Sequence, residues 1–282
     1  MPELPDLEYV VARLRETALG RRVTAARVSE PIVLRVAVPG DFAPLMTGRT
    51  LDAVERRGQF VLFSLGDLDL VINPMLAGRF RFAEVGAKKE ASMCFALAFA
   101  ELELRYLDDK KMGKAYVVKK GDHAQVPGLR ELGLDIMSAK FTLDAFKKLA
   151  QKRRDQVRAF LMDKRALAAI GNAYADEILF ASRIHPKTWV RQLSDEELAT
   201  LHKQIGLVMR AAIDEVARRG APIDEKVRDF LAVRGRKGEP CKTCGTTLRA
   251  VRVLDHDSVF CPQCQPAKRS QFIDWSKLPQ KK

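Results

Sequence analysis

The chain has 282 residues, a formal net charge of +13 and 47% hydrophobic residues. This length favours two domains, or two domains with a small module. The charge points to a polyanion or an anionic membrane surface, although a merely basic, well-solvated surface is the alternative. No apolar run approaches ~18 residues, and the start lacks the basic and apolar regions of a secretory signal. We therefore expect no membrane span and a cytoplasmic, nucleoid-associated protein.

The first residues, Met1-Pro2-Glu3, have the chemistry of a nucleophilic N-terminus. Initiator methionine is usually removed before a small residue, so we expect Pro2 to begin the mature chain with a free secondary amine. An α-amine has a reference pKa near ~8, so part of it is neutral at neutral pH. A neutral amine can form a Schiff base with a sugar carbon, and Glu3 offers a carboxyl for proton transfer. Many chains begin with Met-Pro without such a use.

Helical periodicity predicts a first helix over Asp6–Ala18, capped by Asp6 and ended by Gly20. Between about residues 22 and 118 the pattern changes to short strands, which predicts a sandwich or barrel. In the last of them Leu102, Leu104 and Tyr106 alternate with charged residues, the pattern of a half-buried strand. Cys94 lies in an apolar strand and is expected in the core. The predicted strands span residues 23–28, 59–65, 69–72, 79–83, 93–100 and 101–107.

After a Pro- and Gly-containing linker at residues 122–133 the chain is predicted to be helical. Helices are expected at residues 142–152, 155–162 and 172–181. Ser194 followed three residues later by Glu197 is a capping box, which opens a long helix that Gly220 closes. Gly171-Asn172 precedes the third helix, and free N–H groups at a helix start form an anion site that fits a phosphodiester. Glycine turns between helices are also common without a ligand.

Four cysteines form the strongest local signal: Cys241 and Cys244, then sixteen residues, then Cys261 and Cys264. Two C-x2-C pairs at this separation predict a tetrahedral zinc site. A reducing compartment favours metal over disulfides. Because four protein ligands fill the tetrahedron, the zinc is expected to be structural. The residues between the pairs predict a β-hairpin whose tip lies at Asp255-His256-Asp257.

Together these motifs resemble the formamidopyrimidine-DNA glycosylase/endonuclease VIII family of base-excision repair. Pro2-Glu3-Leu4-Pro5 before an acidic residue is similar to its N-terminus, and residues 170–177 are similar to its helix–two-turn–helix signature. The four cysteines followed by Gln265 are similar to its zinc finger. The resemblance implies that Pro2 attacks C1′ of a damaged nucleotide, that Glu3 transfers protons and that Asn172 touches DNA phosphates.

The resemblance also implies an α+β multidomain fold that holds double-stranded damaged DNA in a cleft, and we expect a monomer. The expected parts are an N-terminal β-sandwich domain with a leading helix (1–126), a linker (127–134), a helix–two-turn–helix domain (135–232), a four-cysteine zinc finger (233–269) and a basic tail (270–282). Phe272 and Trp275 in the tail could touch nucleic acid or pack on the finger.

Several expected DNA-contacting positions depart from the family pattern. Gln59 replaces the lysine of Arg-Arg-Gly-Lys, which removes a charge. Leu76 stands where a methionine fills the gap left by the extruded nucleotide. Lys110 and Met112 replace an arginine and a phenylalanine of the wedge, so an apolar side chain remains to hold the stack open. His256 replaces the finger-tip arginine, and histidine carries less charge at pH 7.

Two functions fit these features. The first is a bifunctional DNA glycosylase with abasic-site lyase activity, in which Pro2 forms the Schiff base. The second is a catalytically weak or inactive relative that binds damaged or abasic DNA, which the changes at Gln59, at His256 and in the wedge favour. A zinc-ribbon nucleic-acid protein of another purpose is a more distant alternative. The sequence does not name the lesion or the opposite base.

Overall fold

A computed structural model describes residues 2–268, in which a leading helix, a two-sheet sandwich, a helical region and a small hairpin follow one another along the chain. The sandwich contains the elements that follow α1 (Leu4–Ala18): β1 (Ala25–Val28), β2 (Leu34–Val36), α2 (Phe42–Met46), β3 (Ala53–Arg57), β4 (Phe60–Leu65), β5 (Leu68–Asn73), β6 (Arg79–Glu84), β7 (Met93–Phe99), β8 (Leu102–Leu107) and β9 (Lys114–Lys119).

The two sheets have the strand orders β1-β7-β8-β6 and β2-β9-β5-β4-β3. Only the β2–β9 pair is parallel within these two sheets. Aromatic side chains fill the space between them: the ring of Phe95 lies 5.1 Å from those of Phe42 and Tyr106, centroid to centroid. Cys94 is buried in this core, as predicted. The predicted sandwich is confirmed.

Helix α1 belongs to two cores at once. Leu7, Val10 and Leu14 pack into the sandwich, whereas Leu4 packs with the helical region. The helix begins at Leu4 with Glu3 as its N-cap, so the predicted start at Asp6 was wrong. Pro5 fits the first turn because it needs no N–H partner there. Asp6 instead accepts the Glu3 N–H at 2.7 Å.

Strand β8 does not have the predicted solvent-facing side. Its apolar residues face the sandwich core, but Glu103 and Arg105 are each only 1% exposed. The Arg105 guanidinium binds Glu103 at 2.9 Å and Glu90 at 2.6 Å, and it also donates to two carbonyls of the segment after β6. Burial of a charge is tolerated when its hydrogen bonds are satisfied in this way. The half-buried prediction was wrong because that segment covers the outer face.

The predicted linker is partly packed. Val126 and Leu129 are buried against Phe60 and Leu62 on the outer face of the five-stranded sheet. This explains why β4 is apolar on both faces. The segment then leads into the helical region, whose elements are β10 (Leu134–Asp135), α3 (Leu143–Gln151), α4 (Val157–Met162), β11 (Leu167–Ala168), α5 (Asn172–Ala181) and α6 (Asp195–Arg219).

The predicted capping box of α6 is confirmed. The Ser194 hydroxyl accepts the Glu197 N–H at 3.2 Å, and the Glu197 carboxylate accepts the Ser194 N–H at 2.7 Å. Gly220 ends the helix with φ +59°, a left-handed conformation that glycine adopts at little cost. Within residues 2–268, no helix is both long and apolar enough to cross a membrane.

The C-terminal hairpin pairs β12 (Arg249–Val253) with β13 (His256–Phe260). Val253 lies opposite His256, so the turn is Leu254-Asp255. The tip is therefore earlier than predicted, and His256 is the first residue of a strand. Leu254 has φ +51° in this turn. The predicted tail contacts of Phe272 and Trp275 lie outside the described residues.

Candidate active site and nucleic-acid interface

The carboxylate of Glu3 joins the N-terminus of the chain to the start of α5. It accepts the N–H groups of Ala173 at 3.0 Å and Tyr174 at 3.3 Å. The first N–H groups of a helix have no partner within the helix and lie at its positive end, so a carboxylate is a favourable partner. Gly171 leaves the necessary room, because a Cβ there would lie 2.4 Å from Cδ of Glu3.

Glu3 is buried, and burial raises the pKa of its carboxyl above the ordinary value. The hydrogen bonds from Ala173 and Tyr174 and the charge of Arg228 oppose this effect without cancelling it. A carboxyl with a raised pKa holds its proton closer to neutral pH, which suits a group that gives and takes protons.

Arg228 and Asp6 support this site, and the sequence did not reveal their contact. Asp6 accepts the Glu3 N–H and forms an ion pair with Arg228. The Arg228 guanidinium also lies 5.2 Å from the centroid of the Tyr174 ring. These contacts fix the backbone of Glu3 and join it to the segment after α6 and to Tyr174 of α5. No local pattern links residue 6 to residue 228.

A small cavity of about 10 Å³, roughly the room for one water molecule, lies beside Pro2 and Glu3. Gln59 and Lys164 also line it, so the structure brings Gln59 together with the predicted reactive residues, and adds Lys164, which the sequence had not indicated. Its other lining residues are Leu4, Leu7, Ala169, Ile170 and Gly171.

Gln59 reaches this cavity from the two-residue turn between β3 and β4. Gly58 takes the first turn position with φ +56°, which suits a tight hairpin. The guanidinium of Arg56 holds the turn, since it donates to the Gly58 carbonyl at 3.0 Å and contacts Glu8 of α1 at 2.5 Å and Asp135 at 3.2 Å. Gln59 is buried, and its Oε1 has no partner within the described chain.

Leu76, Lys110 and Met112 lie in two neighbouring loops of the sandwich. The Tyr106 hydroxyl lies against both loops, because a Cβ on Gly78 or on Gly113 would overlap it. In the second loop the buried Asp108 accepts the N–H groups of Lys110 at 3.0 Å and Gly113 at 2.7 Å.

Leu76 and Met112 are 55% and 40% exposed. Two exposed apolar side chains on neighbouring loops are of the kind that can enter a base stack.

Asn172 and His256, predicted to contact DNA, line one pocket between α5 and the hairpin. The Oδ1 atom of Asn172 accepts a hydrogen bond from Arg158 at 2.9 Å. This leaves the amide nitrogen of Asn172 as the donor for a ligand. Arg234 and Arg252 line the same pocket and add positive charge, whereas Asp255 and Asp257 add negative charge.

The carboxylate of Asp176 links the hairpin to α5 through hydrogen bonds. This fully buried group accepts hydrogen bonds from Arg158 at 2.9 Å, Arg234 at 2.8 Å, the Ser258 hydroxyl at 2.6 Å and the Val259 N–H at 3.0 Å. The sequence motif contained Asp176 but gave no sign of its partners. The one available signal was a charged residue, Arg158, within an otherwise apolar stretch of α4.

The four cysteine sulfurs are close enough to bind one metal ion. All four Sγ atoms lie within 4.8 Å of one another, and three pairs are 3.4, 3.5 and 4.0 Å apart. A tetrahedron with Zn–S bonds of ~2.3 Å has edges of about 3.8 Å, so the set fits zinc. Gln265 accepts the Cys261 N–H at 3.0 Å and donates to the Ile184 carbonyl at 2.9 Å. The finger is thereby attached to the helical region.

Comparison with known proteins agrees with each part of this architecture. Residues 1–115 match the model of the formamidopyrimidine-DNA glycosylase N-terminal domain, and residues 132–220 match that of its H2TH domain. Residues 238–267 match the zinc finger found in FPG and IleRS. The formamidopyrimidine-DNA glycosylase of Symbiobacterium thermophilum is 34% identical to this chain. The alignment covers 94% of this chain and 90% of the length of that relative. This chain belongs to the formamidopyrimidine-DNA glycosylase family.

The formamidopyrimidine-DNA glycosylase of Listeria innocua is 30% identical over 94% of this chain and all of its own. Among solved structures, the complex of Lactococcus lactis Fpg with abasic-site DNA has a TM-score of 0.86 at 25% identity. The complex of the same Fpg with DNA that contains an oxidised pyrimidine has a TM-score of 0.85 at 26% identity. Both cover 94% of this chain and all of theirs. The predicted family, fold class, DNA-glycosylase class and structural zinc are confirmed.

Replacing Gly171 with alanine should displace the Glu3 carboxylate from α5, because the new Cβ would overlap it. We expect Schiff-base formation on abasic DNA to slow by about a hundredfold, the lower end of what a positioned proton-transfer group contributes. Borohydride trapping under single-turnover conditions measures this rate.

Gly206→Ala is the matched control, since its Cβ would meet only the flexible end of Arg210. Trapping by Gly171→Ala at the rate of Gly206→Ala would show that the contact between Glu3 and α5 does not matter for the reaction.

Removing zinc with a chelator should detach the hairpin that carries His256. We expect affinity for abasic DNA to fall by at least tenfold, whereas the sandwich keeps its β-sheet signal, because its core does not include the finger. Fluorescence anisotropy and circular dichroism test the two parts. Unchanged affinity after complete metal removal, verified by elemental analysis, would contradict the role of the finger.

Proposed function

We propose that this chain is a base-excision-repair DNA glycosylase with abasic-site lyase activity, and that the amine of Pro2 forms a Schiff base at C1′. The observation that supports this most directly is the position of Pro2 and Glu3. Both are buried at the junction of the sandwich and the helical region, where α5 holds the Glu3 carboxylate. A free Pro2 amine requires removal of Met1.

The reaction follows from these groups. The lone pair of the Pro2 nitrogen bonds to C1′ as the glycosidic bond breaks, and the base leaves with that bond's electron pair and a proton. The sugar ring then opens to an iminium ion, and the ring oxygen needs a proton that a protonated Glu3 can give. The iminium ion acidifies the neighbouring carbon, so loss of its proton expels the 3′ phosphate. Pro2 must lie within about 3 Å of C1′ to react.

We propose that the remaining predicted residues hold double-stranded damaged DNA. Asn172 and His256 would bind phosphates in their shared pocket. Leu76 and Met112 would enter the stack where the nucleotide is flipped out, and Lys110 would approach the orphaned base. The Lactococcus lactis relative bound to abasic-site DNA supports this partner. We further propose a monomer in the cytoplasm, associated with the nucleoid.

Borohydride should trap the protein on abasic DNA, and Pro2→Gly should slow trapping at least tenfold, because the secondary amine is lost. Pro5→Ala is the matched control, since Pro5 lies in the same buried segment but carries no reactive amine. Its trapping rate should stay within about twofold of the unchanged protein. Intact mass should show a chain that lacks Met1.

Two outcomes would oppose the proposal. Equal trapping by Pro2→Gly and Pro5→Ala would remove Pro2 from the mechanism. Tight binding to an abasic analogue with neither an adduct nor strand cleavage would support the second function, a damage-binding relative. The altered residues Gln59 and His256 are the specific features that favour that alternative.

His256→Arg should strengthen DNA binding, because an arginine adds a full charge and a bidentate phosphate donor to the pocket with Asn172. We expect the slope of log affinity against log salt to steepen by about 0.9, the value for one added phosphate contact. Leu207→Arg, which adds the same charge on α6, should leave the slope unchanged. Equal slopes for the two variants would place His256 outside the DNA interface.

A further inference from the structure

Lys164 is a charged residue that lines the cavity beside Pro2 and Glu3. It lies in the segment between α4 and β11 and lines the cavity together with Pro2, Glu3 and Gln59. Among residues 2–268, its ammonium group has neither a hydrogen-bond nor an ion-pair partner. Burial lowers the pKa of Lys164, and the charge of Glu3 acts in the opposite direction. The Lys164 side chain therefore interacts electrostatically with Glu3, next to Pro2.

The other charges near Pro2 are already engaged. Glu3 accepts two N–H groups of α5, and Asp6 of α1 pairs with Arg228 from the segment after α6. From the turn between β3 and β4 only the neutral Gln59 lines the cavity. Arg56, at the end of β3, is bound to Glu8 of α1 and to Asp135.

The buried side chain of Gln59 is a second, independent observation at this cavity. Its side chain is 8% exposed, and its Oε1 lacks a hydrogen-bond partner in the described part of the chain. A buried acceptor without a partner is rare and costly. Gln59 and Lys164 line the same cavity, so the acceptor and the ammonium group that are unpartnered among residues 2–268 belong to one site.

We propose that Lys164 supplies, from the helical region, the positive charge that is absent at Gln59, and that this charge keeps the Pro2 amine unprotonated. Two cations that line one small cavity repel each other, which lowers the pKa of both amines. The reference pKa of an α-amine is about 8 and that of lysine is about 10.4, so Pro2 is the group that is deprotonated. Lys164 is then a positioning residue that acts through Pro2.

This inference rests on the proposed function, and its signature is a pH profile. The rate of trapping rises with pH as Pro2 loses its proton. A neighbouring cation lowers the pKa of Pro2 and places this rise at lower pH, and removal of the cation moves it to higher pH. The acidic limb of the profile is the pH range over which the trapping rate rises. Lys164→Met should therefore shift this limb to higher pH by about one unit, so that trapping below its midpoint is about tenfold slower.

Three further variants separate charge from shape. Lys164→Arg keeps the cation and should keep the profile. Arg165→Gln removes an exposed charge one residue away and should also keep it. Gln59→Lys, added to Lys164→Met, returns a cation to the same cavity and should move the limb back toward lower pH.

Single-turnover trapping on abasic DNA between pH 5 and 9, with saturating protein, is the measurement. Anisotropy on an abasic analogue and thermal unfolding show that each variant binds and folds. An acidic limb that stays in place in Lys164→Met overturns the inference alone, as does a failure of Gln59→Lys to restore it. Absence of an adduct with the unchanged protein at every pH overturns the proposed function and the role of Lys164 with it.

Discussion

The contact between the Glu3 carboxylate and the first N–H groups of α5 is the constraint on which the site depends. It satisfies donors that a helix cannot satisfy itself, and it joins the segment before α1 to the helical region. Gly171 makes the contact possible because it has no side chain in the way. Leu4 adds an apolar anchor in the core of the helical region, whereas the rest of α1 packs in the sandwich. The segment proposed to react is thus held between two packed cores.

Buried charge is used in the same way in the middle of α5. Asp176 has no exposure and is bound by two arginines, a hydroxyl and an N–H, and these four donors come from α4, from the segment that leads into the finger and from the hairpin. Loss of Asp176 would leave two arginines and two neutral donors without their shared buried acceptor, which is costly. The hairpin has only a small apolar core, and zinc and Asp176 add to its stability. His256 and Asn172 share a pocket as a result, although 84 positions separate them in the chain.

The features that the sequence predicted correctly are those with local causes. The capping box at Ser194, the cysteine spacing and the start of α5 at Asn172 each depend on residues a few positions apart. The errors depend on partners far along the chain. The start of α1 was placed at Asp6 because the local pattern does not show that the carboxylate of Glu3, the actual N-cap residue, is held by the N–H groups of Ala173 and Tyr174. Glu103 and Arg105 were expected to face solvent because alternation does not reveal that another segment covers that side.

The difference between local causes and distant partners also explains why Gln59 looked like a simple loss of charge in the sequence. In the sequence it is a neutral residue after Arg56-Arg57-Gly58, and nothing nearby replaces the lysine of the family pattern. The fold brings Lys164, 105 positions later, to the same cavity. The protonation of an amine depends on the electrostatic potential at its nitrogen. A cation from either domain can contribute to that potential. A substitution in the sandwich is therefore to be judged together with the residues that the helical region places opposite it.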